Sequence, residues 1–200
     1  MLEEYLRPSY QQLCVAPIAK LLNKHRCPPS LITLFSLVFG VLACPLMILQ
    51  HSHWAIFSLL ISGYCDTLDG TLARLSGQTS SQGTIFDILS DRIVEFSVIL
   101  GLFSIEPLER GLASLFMLGS VLICMTSFLV VGIFTQNDSE KGFYYSPGIM
   151  ERCEAFIFFM LMVLFPSYFS LLAWTFTCLV FLTAAIRVFQ FRIQYLKSVT

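Results

Sequence analysis

Asp66-Thr-Leu-Asp69-Gly70-Thr-Leu-Ala73-Arg74, then after eight residues Gly83-Thr-Ile-Phe-Asp87-Ile-Leu-Ser-Asp91, is the stretch on which the reading of this chain turns. Asp66, Asp69, Gly70 and Ala73 fall at i, i+3, i+4 and i+7, which is one face of an α-helix. Gly83, Asp87 and Asp91 step by four and make a similar, slowly drifting stripe on a second helix. The turn between them, residues 75–82, is rich in Ser, Thr, Gly and Gln, so the two helices are expected to pack antiparallel with their carboxylates facing. The flanking sequence is apolar, and four aspartates beside lipid are untenable without cations. One or two divalent metal ions are the simplest resolution.

The composition says why lipid is the expected surrounding. Only 12 % of the 200 residues are charged, 56 % are hydrophobic, and Phe alone occurs 19 times. That excludes an ordinary soluble domain and points to an all-α integral membrane protein, a single domain over residues 1–200. The first 20 residues carry Glu3, Glu4, Arg7 and Pro8 and no apolar run, so no cleavable leader is expected. The seven cysteines are scattered without a C-x-x-C pair and read as small core- or lipid-facing residues. No nucleic-acid partner is expected.

Residues 1–27 read as an interfacial amphipathic segment, broken near Pro8 and Pro17, and residues 28–197 as a bundle of six spanning helices. The expected spans are Leu31 to Gln50, Trp54 to Arg74, Gly83 to Ile105, Arg110 to Thr135, Pro147 to just before Pro166, and Tyr168 to Phe191. A polar loop, residues 137–146, separates the fourth from the fifth. Six spans put both termini on one side. Of the twelve lysines and arginines, only Arg110 falls on the other. That bias predicts cytoplasmic termini and a cytoplasm-facing aspartate cluster in a multi-pass protein.

Hard carboxylate ligands select Mg2+ or Mn2+ (or Ca2+) over Zn2+, and no His or Cys stands at zinc spacing. Two such ions are the usual clamp for a diphosphate in phosphoryl transfer. Gly70, Ala73 and Gly83 share the carboxylate faces, where small residues let a bulky ligand approach the backbone. Arg74, one turn beyond Gly70, is placed to bind phosphate oxygens.

The spacing Asp66-x-x-Asp69-Gly70-x-x-Ala73-Arg74-(eight)-Gly83-x-x-x-Asp87-x-x-x-Asp91 resembles, position for position, the signature of the CDP-alcohol phosphotransferases. Pro29-x-x-Ile32-Thr33 is similar to the family's opening of the first span, with Ser30 where Asn is usual. The resemblance implies displacement of CMP from a CDP-linked lipid, such as CDP-diacylglycerol, by the hydroxyl of a small polar alcohol. It also implies Asp66, Asp69, Asp87 and Asp91 as ligands of two divalent ions, with Asp91 as general base. Asp66, Asp69, Gly70, Ala73, Arg74, Gly83 and Thr33 would hold the nucleotide. A homodimer is a further implication.

The acceptor is less sharply indicated. Arg152, Arg187 and Lys141 are expected at cytoplasmic helix ends, where they could form a pocket for an acceptor bearing phosphate. Basic residues there are also commonly topology anchors, and that reading stands beside the first. Residues 146–154 and 86–92 look similar to the branch of the family that uses inositol phosphate; glycerol 3-phosphate is next, then free serine or inositol. Glu95 is an extra carboxylate placed either to meet an acceptor hydroxyl or to pair with Arg92. His51-x-His53 lacks a third ligand and reads as interfacial decoration. Ser36-xxx-Gly40 and Ser97-xxx-Gly101 are small-residue pairs for close helix packing. From another class, a divalent-cation transporter or channel also places carboxylates in membrane. It predicts acids spread through the membrane depth and repeated halves, neither of which is visible.

Overall fold

The computed structural model describes residues 10–134 and 148–199, and among these every regular element is helical. A π-helical turn, Gln11–Val15, leads into α1 (Ala16–Lys24), with Pro17 in its first turn where no N–H is needed. Long helices follow: α2 (Pro29–Ile48), α3 (Ser52–Ser76), α4 (Ser81–Ile105) and α5 (Pro107–Phe134). The short α6 (Arg152–Leu164) and a 3-10 turn at Pro166–Tyr168 precede α7 (Phe169–Val199). Among the described residues, three segments are long and apolar enough to cross a membrane: Pro29–Ile48, Pro107–Phe134 and Pro166–Ile193.

α2, α3 and α4 form one tightly packed group, and α5 with α7 a second. α4 touches α5, while α6 bridges α3 and α7. Small residues make the first group possible. α2 buries Thr33, Ser36, Gly40, Ala43 and Cys44 on one face and turns Leu31, Leu34, Phe35, Val38 and Leu42 outward. A Cβ at Gly40 would collide with the Val94 methyls of α4 and the Ser62 hydroxyl of α3. One at Gly101 would press on the backbone of Cys44. Both small-residue pairs are therefore consumed in packing within the chain. The shared core, with Leu59, Val98, Leu102, Met117, Phe159 and Phe176 fully buried, lies beneath the aspartate end.

α1 lies against α3. Val15 and Ala19 pack with Ile32, Leu68 and Leu72, and the Tyr64 hydroxyl donates to the Cys14 carbonyl at 3.0 Å. Its other side exposes Ile18 and Leu21.

Element boundaries follow from local chemistry. Gly77 ends α3 in the left-handed conformation (φ 66°), and Ser80 caps α4 by accepting from the Gly83 N–H at 3.0 Å. α4 thus starts at Ser81 rather than Gly83. α6 is shorter than the expected fifth span, beginning at Arg152 instead of near Pro147. Glu151 and Glu154 form a reciprocal capping box there, and the Met150 N–H is drawn away to the Thr183 hydroxyl at 2.9 Å. Thirteen helical residues reach about 20 Å, short of a bilayer core. The expected 137–146 loop, the end of the fourth span at Thr135 and the start at Pro147 lie outside the described residues, as do residues 1–9 with Pro8.

Candidate active site

The antiparallel placement of α3 and α4 brings the two stripes together at one end of the molecule. One oxygen from each of Asp66, Asp69 and Asp87 lies within 4.8 Å of the others. Asp69 is buried, with the Thr33 hydroxyl of α2 beside it. Asp69 Oδ2 and Asp87 Oδ1 are shut off from solvent and receive no hydrogen bond from the described residues. Buried anionic oxygens left without donors are costly, and a hard divalent cation is the partner that this donor set fits.

Asp91 stands at the margin of that group and is tied to it by an arginine. Arg152, the first residue of α6, sends one guanidinium nitrogen to Asp66 Oδ1 and the other to Asp91 Oδ1 at 2.7 Å. Arg92 lies 3.9 Å from Asp91 but is engaged by Glu95 at 2.5 Å, so the Glu95–Arg92 pairing weighed from the sequence forms. The four carboxylates thus outnumber the guanidinium groups seen to contact them among the described residues, leaving a negative excess.

Beyond Gly70, an added Cβ would meet only the Arg74 guanidinium, at 3.7 Å. Gly83 is exposed, and Ala73 is partly buried on the aspartate face of α3. Arg74 is exposed, with Nη2 3.4 Å from the Thr71 hydroxyl. Arg187 of α7 is buried: its guanidinium donates to the Cys124 carbonyl at 3.1 Å and stacks over the Phe128 ring at 5.1 Å, while Nε has no acceptor. Lys141 lies outside the described residues. Sequence reasoning missed Cys124 and Phe128 because nothing local marks an aromatic or a carbonyl as an arginine's seat.

The profile of the CDP-alcohol phosphatidyltransferases matches residues 26–189, a range that includes the whole aspartate stretch. The chain belongs to that family. Inner membrane protein YnjF of Escherichia coli is 30 % identical over 197 residues, 95 % of each chain. A phosphatidylinositol phosphate synthase of Corynebacterium glutamicum is 29 % identical over 148 residues, 73 % of this chain and 67 % of that one. The crystal structure of Mycobacterium tuberculosis phosphatidylinositol phosphate synthase with CDP-DAG bound shares the fold. Its TM-score is 0.75 at 20 % identity, covering 89 % of this chain and 93 % of that one. As a CDP-alcohol phosphatidyltransferase, the protein is a metal-dependent membrane enzyme of phospholipid biosynthesis. It transfers a substituted phosphate from a CDP-linked donor to an alcohol with release of CMP. The transporter reading gives way to this family assignment.

Proposed function

We propose that this enzyme transfers the phosphatidyl group of CDP-diacylglycerol to an inositol phosphate. The observation that carries the reading is Arg152, whose guanidinium bridges Asp66 and Asp91 at the carboxylate cluster; the buried Arg187, whose Nε has no acceptor among the described residues, is the second cation of the pocket in this reading. A guanidinium held at the carboxylate cluster suits an acceptor that already bears phosphate. The names of relatives support the same branch: the synthase of Corynebacterium glutamicum, and an archaetidylinositol phosphate synthase of Pyrococcus horikoshii, 26 % identical over 141 residues. Glycerol 3-phosphate offers the same chemistry and is the next acceptor to test.

In this reading Asp66, Asp69, Asp87 and Asp91 hold two divalent ions, Mg2+ or Mn2+, which when bound neutralise the diphosphate and the charge developing on the leaving phosphate. Asp91, at the margin of the group and toward the arginines, takes the proton of the acceptor hydroxyl. Asp66, Asp69, Gly70, Ala73, Arg74, Gly83 and Thr33 form the nucleotide pocket. Arg152, Arg187 and Lys141 hold the acceptor phosphate, and Glu95 keeps Arg92 off Asp91.

The membrane arrangement belongs to the same proposal. In this proposal residues 1–27 lie at the interface and residues 28–197 form one domain of six membrane helices, the fifth with a helical part too short to cross by itself, and the site and both termini are cytoplasmic. The outward Ile18 and Leu21 of α1 and the eleven-to-one distribution of basic residues support it. A homodimer rests on the family resemblance alone, since both small-residue pairs are spent inside the chain.

The deciding experiment presents membranes containing the enzyme with labelled CDP-diacylglycerol and a panel of acceptors. CMP release is expected with inositol phosphate and not with free inositol or serine. Release with only an unphosphorylated alcohol would overturn the acceptor assignment.

A further inference from the structure

Arg152 does something to the aspartate group that an acceptor-phosphate ligand alone does not require. Its two terminal nitrogens each contact a carboxylate oxygen, Asp66 Oδ1 from α3 and Asp91 Oδ1 from α4. Two carboxylate oxygens on different helices are thus bridged by one cationic group. Asp66 also belongs to the group with Asp69 and Asp87, where two buried oxygens lack donors among the described residues. The acidic cluster therefore divides into an Asp66–Asp69–Asp87 position open to an ion and an Asp66–Asp91 position filled by a side chain. We propose that Arg152 is the resident cation of the second position, so that loading a divalent ion there and moving Arg152 onto a phosphate are one linked event.

The local architecture suits such a side chain. The Arg152 backbone is held by the Glu151–Glu154 capping box and by the Met150–Thr183 hydrogen bond, which anchor the start of α6. The guanidinium itself remains about a quarter exposed, and its carbon lies 5.7 Å from the Phe156 ring centroid, a second surface over which it can rest. A divalent ion and a guanidinium cannot occupy the same two oxygens, because like charges at contact distance repel. A phosphate offered to Arg152 relieves that competition. By reciprocity, whatever factor phosphate contributes to ion binding, the ion contributes to phosphate binding. An enzyme so built loads its second ion together with its acceptor, which keeps the site incomplete when only the donor is present.

This inference rests on the two-ion reading above, and its test separates the two. Mn2+ binding to the detergent-solubilised full chain is followed by the loss of the free-ion EPR signal, for wild type, Arg152→Gln and Arg152→Lys. Each is titrated with and without inorganic phosphate. Wild type is expected to bind one ion tightly and a second at least about tenfold more weakly. Arg152→Gln should tighten the second ion about tenfold and the first by clearly less, while Arg152→Lys, which keeps the charge, stays closer to wild type. Phosphate should tighten the second ion in wild type and not in Arg152→Gln; the wild-type arm needs no variant to fold. Equal second-ion affinities in wild type and Arg152→Gln, or a phosphate effect that survives in Arg152→Gln, would overturn this proposal alone. A wild-type chain that binds no Mn2+ would overturn the metal assignment along with it.

Discussion

Ser36 and Ser62 exchange hydrogen bonds across the α2–α3 interface, each hydroxyl donating to the other's main-chain carbonyl at 2.8 Å. The exchange sets the distance and rotation of α3 one turn before Asp66. Both hydroxyls are buried, so in an apolar surrounding neither has water to fall back on. Gly40 lies next to this pair, and the Val94 methyls of α4 fill the space its missing Cβ leaves. The rotation of the aspartate helix is thus decided by small residues that carry no chemistry themselves.

Substitution at this crossing should destabilise the helix group. Gly40→Ala is expected to lower stability by about 1–3 kcal/mol through overpacking, and Ser62→Ala by ~1 kcal/mol. Thermal unfolding in detergent reads both. Val94→Ala should recover part of the Gly40→Ala loss, and a failure to do so would mean that α4 is not what the new methyl meets.

Removing the metal should stop the reaction. Thorough chelation is expected to abolish CMP release, and Mg2+ or Mn2+ to restore it. Asp69→Asn and Asp87→Asn should lose ion and nucleotide binding together. Asp91→Asn should keep the nucleotide and the ion held by Asp66, Asp69 and Asp87, while turnover falls about 100-fold or more, the range for loss of a general base. Wild-type turnover in Asp91→Asn would remove that residue from the proton-transfer role.

Arg187 separates acceptor from donor. Arg187→Ala is expected to raise the acceptor KM about tenfold, equivalent to ~1.4 kcal/mol of binding, and to leave the donor KM near wild type. Steady-state kinetics with each substrate varied in turn give the comparison. Unchanged acceptor kinetics would mean that its seat on the Cys124 carbonyl and Phe128 serves the fold alone.

Arg110, at the opposite end from the aspartates, should matter for stability and not for chemistry. It is buried and donates to Glu106 through Nε at 3.0 Å, forms a second contact through Nη2 at 2.9 Å, and lies over the Phe169 ring at 4.6 Å. It thereby ties the start of α5 to α7. Arg110→Met is expected to cost about 1–3 kcal/mol and lower the unfolding temperature, with kcat per folded enzyme unchanged. A loss of kcat at full folding would show a long-range coupling that these contacts do not suggest.

Several of these relationships were legible before any tertiary structure. The spacing of Asp66, Asp69 and Gly70 makes them cofacial on any α-helix, and Arg92 meets Glu95 because three residues along a helix is nearly one turn. The Ser36–Gly40 and Ser97–Gly101 pairs announced close helix contact, though not which helix would be met. The fifth helix was expected too long, because its apolar run conceals a start decided by the Thr183 hydroxyl on another helix.

The periodicity, composition and charge distribution of the chain by themselves determined a helical membrane protein with a carboxylate cluster at one end, since each of these is a property of neighbours along the backbone; the enzymatic reading came from the resemblance of the aspartate motif to a known family. Only the tertiary structure decided that Arg152 spans Asp66 and Asp91, that Arg187 rests on Cys124, and that Asp91 stands apart from the other three aspartates. Those contacts join residues far apart in the chain. They depend on which faces of α3, α4, α6 and α7 meet, and that is settled by the fit of small and large side chains across the whole bundle.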